Sequence, residues 1–329
     1  MAIDPSRISE VGPQGGYAGR LAHIGGRAKH HYGRVPDLVK AVAIMAVASL
    51  LFNGMNAIIR HVSADIHTFE VAFFRNVFGI IALMPIFLRE GLAPLKTNQF
   101  GKHLTRAAIN VVSMMCFFGA IAITPLAEVA SLGFTLPLFV TVYAALFMGE
   151  RLRARRIGAL IVGAIGASII VRPWLGTVDL GAMLVLAGSA IWGVALLLTK
   201  VMAREDSSVT ITSWAAILLA ILAFPPALTV WTWPTMEHYL WFAAMGVLGT
   251  LGAIGIVESL KLAEANAIMP FDFIKLIWAA MMGFIFFGEV PDIWVWVGGF
   301  VILGSTVYLT YRETQVHKEQ QQNNADATS

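Results

Sequence analysis

A single cysteine, Cys116, excludes an internal disulfide and any thiolate metal cluster, and it reads as a small buried packing residue. Charge is equally scarce: 13% of residues are Asp, Glu, Lys or Arg, against 57% hydrophobic. No Gly-x-x-x-x-Gly-Lys-Ser/Thr stretch is present, so ATP does not drive whatever the chain does. HExxH, GxSxG and a Cys/His cluster are missing too, which argues against an enzyme, a bound cofactor or a metal. The polar filter or charge ring of a channel is not apparent either.

What fills the chain instead is apolar. A mean hydropathy of +0.73 over 329 residues exceeds what a water-soluble core can bury. Ten apolar runs recur, each near the roughly 20 residues that cross a hydrocarbon core. They span Leu38 to His61, Thr68 to Leu88, His103 to Thr124, Ala127 to Met148, Arg156 to Val171, Leu180 to Met202, Val209 to Trp231, Tyr239 to Leu260, Ala265 to Phe287 and Ile293 to Tyr311. Continuous runs of this length predict helices, because a membrane strand is about 10 residues with alternating polarity.

Charge placement tests the layout. With a cytoplasmic amino terminus, nineteen of the 23 Lys and Arg fall on the inside, Arg60 and Arg172 outside, and Arg75 and Lys275 within spans. Adding or removing one span would invert half of that distribution. The sequence therefore predicts an all-α membrane protein of ten spans with both termini cytoplasmic. Residues 1–37 read as a disordered basic arm and 313–329 as a disordered Gln- and Asn-rich tail. The net charge of +3 comes largely from cytoplasmic loops facing anionic lipid, so nucleic acid is not implied as a partner.

The chain also repeats itself. Leu126-Ala127-Glu128, followed by an apolar stretch ending at Gly149-Glu150, returns as Leu262-Ala263-Glu264 and a stretch ending at Gly288-Glu289. Each copy closes with a glycine-containing apolar run, holding Gly158, Gly163 and Gly166 in the first and Gly298, Gly299 and Gly304 in the second. Five spans per copy is an odd number, so the copies enter the membrane from opposite sides. Inverted repeats around a shared midplane site are the architecture of many secondary transporters.

Pro125-Leu126-Ala127-Glu128, Thr135-Leu136-Pro137-Leu138-Phe139 and Gly149-Glu150-Arg151-Leu152 resemble the EamA-type repeat of the drug/metabolite transporter superfamily. Ala263-Glu264, Pro270-Phe271-Asp272-Phe273 and Phe287-Gly288-Glu289 resemble its second copy. The resemblance implies two five-helix repeats, 38–173 and 178–312, enclosing a central cavity in an inner-membrane carrier. One departure stands out: Leu276 occupies the place where many relatives carry the proline matched by Pro137.

Polar groups inside spans are where a solute would be met, since a buried charge costs about 2.5 to 3.5 kcal/mol on insertion scales. Asp272 and Lys275, three residues apart on one face of the ninth span, either grip the charged ends of a zwitterion, relay a proton, or form an ion pair that holds helices together. Pro270 just ahead opens or kinks that helix. Arg75, with Asn76 beside it, either attracts an anionic group or snorkels toward Glu70. Glu258 either pairs with Lys261 or gates a mouth. Asn53, Asn56 and Asn110 face the protein interior, as helix ties or cavity lining.

Trp192 and Trp278 lie deep and either stack on a flat substrate or pack helices, whereas Trp231, Trp233 and Trp241 sit at an interface. The ladder Gly246, Gly249, Gly252 and Gly255 predicts close helix packing. Glu128, Glu150, Glu264 and Glu289, at helix borders, predict caps or pairing with arginines. The expected function is a secondary transporter for a small organic metabolite, amino-acid-like, nucleoside-like or vitamin-like. A proton or substrate gradient would drive it. A polyspecific drug efflux carrier is the alternative within the class, and a non-transporting scaffold or a channel the alternative outside it.

Overall fold

The computed structural model describes residues 37–91, 95–148, 154–175, 179–202, 205–262 and 273–326. Among them the chain is helical, with no strand. The α-helices are α1 (Asp37–Val62), α2 (Thr68–Glu90), α3 (Phe100–Ile123), α4 (Leu126–Gly133), α5 (Leu136–Met148), α6 (Ala154–Val171), α7 (Leu180–Met202), α8 (Ser208–Leu228), α9 (Met236–Leu262), α10 (Ile274–Phe287) and α11 (Ile293–Asp326). Among the described residues seven stretches are long and apolar enough to cross a membrane: six lie on α1, α2, α3, α7, α8 and α9, and the seventh on α4 and α5 together. Arg156–Val171, Ile274–Phe287 and Ile293–Leu309 are apolar helical stretches of shorter length.

These helices turn large apolar side chains outward, among them Val47, Ile81, Phe147, Ile161, Phe286 and Phe300. A surface of that kind is stable against lipid rather than water. Chain order shapes the interior: α1 packs chiefly on α9, α3 on α7, α2 on α8 and α6 on α11. Each pairing joins the part of the chain before residue 172 to the part after 179. Exchanging the two parts turns α1–α9 into α7–α3 and returns α2–α8 and α6–α11 to themselves.

Small residues set the closest approaches. A Cβ on Gly166 would stand 3.0 Å from the Gly298 carbonyl oxygen, and one on Gly298 would stand 2.6 Å from that of Gly166. The backbones of α6 and α11 thus meet reciprocally at two glycines. The expected glycine ladder behaves likewise on α9: Gly246 lies under the Phe78 backbone of α2, while Gly252 and Gly255 lie under Phe52 and Ala48 of α1.

Two stretches depart from the run-by-run reading. The fourth span is not one helix: α4 ends at Gly133 and α5 starts at Leu136. Pro137 has no N–H and its ring crowds the carbonyl one turn back, so the ladder breaks there. The Phe134 carbonyl then accepts from Thr306 Oγ1 at 3.3 Å. Where that proline is replaced, Leu276 is fully buried in the first turn of α10, its side chain filling the space beside Gly299. At the end of the chain α11 runs on to Asp326, through the tail read from composition as disordered. Its Gln, Glu, Lys and Ala residues are sound helix formers, and they extend a helix already nucleated in the bundle.

Candidate functional site

Polar side chains of the spans gather on the seam between α1 and α10. Asn53 is buried; its amide donates to the Ser49 carbonyl at 2.9 Å and to the Lys275 carbonyl at 3.3 Å. About two α1 turns from Asn53 toward the amino terminus, Trp278 Nε1 donates to the Ala46 carbonyl at 3.0 Å. These two bonds fix the rotation of α10 against α1. Asp272 lies outside the described residues, and Lys275 is half-buried at the start of α10. Asn56 and Asn110 are half-buried.

Arg75 is set differently from the snorkelling alternative. Glu70, fully buried, accepts the Thr232 backbone N–H at 2.5 Å and the Thr232 hydroxyl at 3.1 Å, pinning α2 to the turn between α8 and α9. Arg75 instead donates from Nη1 to Asn76 Oδ1 at 3.0 Å. Asn76 is held by its own Nδ2, which reaches the Ala72 carbonyl at 2.8 Å and Met114 Sδ at 3.3 Å. The guanidinium lies in the gap left by Gly249, where a Cβ would meet Met55 Sδ at 2.7 Å and Arg75 Nη2 at 3.3 Å.

Stronger polar contacts close the two ends of the bundle. Since α2 and α3 are each roughly 35 Å long at about 1.5 Å per residue, Asp65, just before α2, and Thr124, just after α3, share one end, and Thr97 lies at the other. At the Asp65 end, Arg60 Nη2 is 2.5 Å from Glu289 Oε1, its Nη1 donates to the Thr124 carbonyl at 2.5 Å, and its plane lies 5.1 Å from the Phe287 ring centre. Glu289 also accepts the Leu126 N–H at 3.0 Å, so it caps α4 from the other half of the chain. Gly288, at φ 68°, supplies the left-handed turn that aims Glu289 back, and Gly283 leaves room for its carboxylate. Arg172 pairs with Asp292, and this hydrogen bond holds the Asp292 carboxyl below the usual carboxylate range.

A histidine and an aspartate then appear at each end. His103, fully buried in the first turn of α3, sits with Nε2 2.9 Å from Asp206 Oδ2, and Thr97 Oγ1 donates to the same carboxylate at 2.9 Å. At the opposite end, His238 in the first turn of α9 has Nε2 3.7 Å from Asp65 Oδ2. Its Nδ1 accepts the Thr235 N–H at 3.1 Å, which leaves the ring proton on Nε2, toward Asp65. Both pairs cross between the halves, and each links the first turn of a third helix to the connection between a first and a second. The His103 pair is tight and dry, whereas the Asp65 side chain is mostly open to solvent.

Other expected residues stand apart. Trp192 is 41% exposed and meets Phe117 edge-on at 5.8 Å, so it packs at the outside of the bundle. Glu258 is exposed near the end of α9. Trp231 lies among Phe73, Phe74 and Phe224, and Trp233 is exposed beside it, as interfacial residues are. Glu150 and Glu264 lie outside the described residues. A cavity of about 460 Å³ opens between α5, α6 and α7, lined by Leu138, Phe139, Leu160, Ala164 and Leu186; it is apolar and touches none of the polar candidates.

The sequence reading did not single out Arg60, His103, Asp206, His238 or Asp65. A signal for the first was present: Arg60 and Arg172 are the two basic residues that break the inside bias, and each is held by a carboxylate.

The EamA-like transporter family profile matches residues 39–172 and again 179–311. The chain belongs to this family. Its double match falls on the two halves whose helices pair across the bundle. Similar proteins include a riboflavin transporter of Rhizobium johnstonii, 28% identical over 82% of this chain and 90% of its own length. An S-adenosylmethionine uptake transporter of Rickettsia bellii is 24% identical over 80% of this chain and 91% of its own length. A pseudopaline exporter of Pseudomonas aeruginosa is 27% identical over 84% and 98%. A solved crystal structure covers 84% of this chain and 99% of its own with a TM-score of 0.57 at 17% identity, a likeness of fold. This EamA-like chain is a multi-pass membrane protein of a transporter family.

Proposed function

We propose that the chain is a secondary carrier that moves a small organic metabolite across the inner membrane by alternating access, with ten crossings, two inverted five-helix repeats and both termini cytoplasmic. The observation that carries this reading is the pair of histidine–aspartate ties, His103–Asp206 and His238–Asp65, exchanged between the halves at opposite ends and unequal in tightness. If the halves trade conformations, the tight tie and the loose one trade places, and the pocket opens to the other face. Arg60, Glu289 and Leu126 act as the gate at the Asp65 end, and His103, Asp206 and Thr97 as the gate at the other.

Relatives named for riboflavin and S-adenosylmethionine support a heteroaromatic metabolite as the cargo, and the absence of an ATP motif supports a gradient as the drive. Radiolabelled riboflavin and S-adenosylmethionine are to be offered to proteoliposomes containing the full chain, with and without an imposed proton gradient. Saturable uptake is expected for at least one. Flux without saturation would favour a channel, and no flux of either would remove the heteroaromatic assignment.

A further inference from the structure

Arg60 and Arg75 show what the bundle does with an arginine it uses for structure and one it does not. Arg60 is held by three groups from other segments: a carboxylate, a backbone carbonyl and an aromatic face. Among the described residues Arg75 makes one hydrogen bond, to the residue next to it in the same helix, and no carboxylate pairs with it. A guanidinium carries five N–H donors in a rigid fork and keeps its charge. Four of them have no acceptor among the described residues, and inside an apolar helix that is costly unless another molecule supplies one.

The surroundings hold that fork in place. Asn76 is buried and oriented by two contacts of its amide nitrogen, so its oxygen is fixed toward Arg75. Gly249 of α9 makes the room: any side chain there would press on the guanidinium and on Met55. Arg75 begins about 10 Å in from the start of α2, and α1, α2, α3 and α9 all contribute atoms around the Arg75–Asn76 pair through Met55, Met114 and Gly249.

We propose that the Arg75 fork, backed by Asn76 and cleared by Gly249, is the seat for an anionic group of the transported solute, a carboxylate or phosphate bound through two parallel N–H bonds. The proposal rests on the carrier reading and narrows it to solutes that bear such a group. Arg75 is then a specificity residue: the fork accepts two oxygens at once, which a lysine ammonium does not reproduce.

Thermal unfolding of the purified full chain tests it with three probes: S-adenosylmethionine, which carries a carboxylate; riboflavin 5′-phosphate, which carries a phosphate; and neutral riboflavin. At least one anionic probe is expected to raise the midpoint of the wild-type chain. Arg75→Gln should weaken that probe's binding at least tenfold, with Arg75→Lys in between and Gly249→Ala also weakened. A shift unchanged in Arg75→Gln, or none with either anionic probe, overturns the seat. Because Arg75→Gln removes a charge that costs burial, the variant is expected to fold, and Gly249→Ala gives an independent reading that keeps the arginine. Saturable riboflavin uptake that is indifferent to Arg75 would leave the carrier standing while removing the seat, so the two failures are distinguishable.

Discussion

Arg60 Nη2 lies 2.5 Å from Glu289 Oε1, and Glu289 Oε2 in turn accepts the Leu126 N–H at 3.0 Å, so an arginine of α1 is joined through one carboxylate to the amino end of α4. The carboxylate serves as an ion-pair partner and a helix cap at once. Both side chains are mostly shielded, at 20% and 13% exposure, which puts the pair between a screened surface bridge and a dry one.

Glu289→Ala is therefore expected to lower the stability of the detergent-solubilised chain by about 2 kcal/mol, more than Arg60→Ala, because it removes the cap as well as the charge. A double-mutant cycle read by thermal unfolding should give a coupling of about 1 kcal/mol. Additive losses would mean that the two groups do not act together.

The two histidines predict unequal effects. His103→Ala empties a buried position and leaves the Asp206 carboxylate short of a partner, a loss of about 2 kcal/mol. His238→Ala breaks a longer contact to a solvent-exposed acid and should cost under about 1 kcal/mol. Equal losses would contradict the difference between a closed and an open end. In proteoliposomes both variants should change uptake rate more than apparent affinity, since they act at the ends rather than at the bound solute.

Gly298→Ala places a methyl group 2.6 Å from the Gly166 carbonyl oxygen, a backbone atom that cannot swing aside. Separation of α6 from α11 should cost about 1 to 3 kcal/mol. Gly304→Ala, in the same helix with nothing within 4 Å of the added carbon, serves as the control and should be near neutral.

Asp292 makes a pH prediction. Its folded carboxyl is held below the ordinary range by Arg172, so the pair contributes stability above the unfolded carboxylate value and loses it as pH falls through the lower folded value. Carbon-detected titration of labelled Asp292 should show a midpoint below that of a free aspartate, returning upward in Arg172→Gln. An unchanged midpoint in that variant would show that the arginine is not the cause.

Hydropathy made seven long apolar helical stretches among the described residues legible, because a helix in lipid must be apolar along its whole length, and the close packing of the α9 glycines followed from their regular spacing. The break between Gly133 and Leu136 was not read, although Pro137 marks it, because hydropathy is blind to a lost N–H. Partners were less legible than positions. Helices apolar on every side carry no stripe to say which neighbour they meet, so nothing local ties Arg60 to Glu289 or His103 to Asp206. Arg75 was noticed as a charge in a span; its surroundings, one fixed amide and one missing side chain, exist only once α2 and α9 are in contact.

The cross-pairing of α1 with α9, α2 with α8 and α3 with α7 has a consequence for biogenesis. While the ribosome is still making the later helices, the earlier ones have only lipid against the faces they will eventually share, and polar groups such as Asn53 and Glu70 wait without the atoms that later satisfy them. Assembly is thus a late event in synthesis, and a chain truncated after α6 would be inserted yet remain a target for membrane proteases.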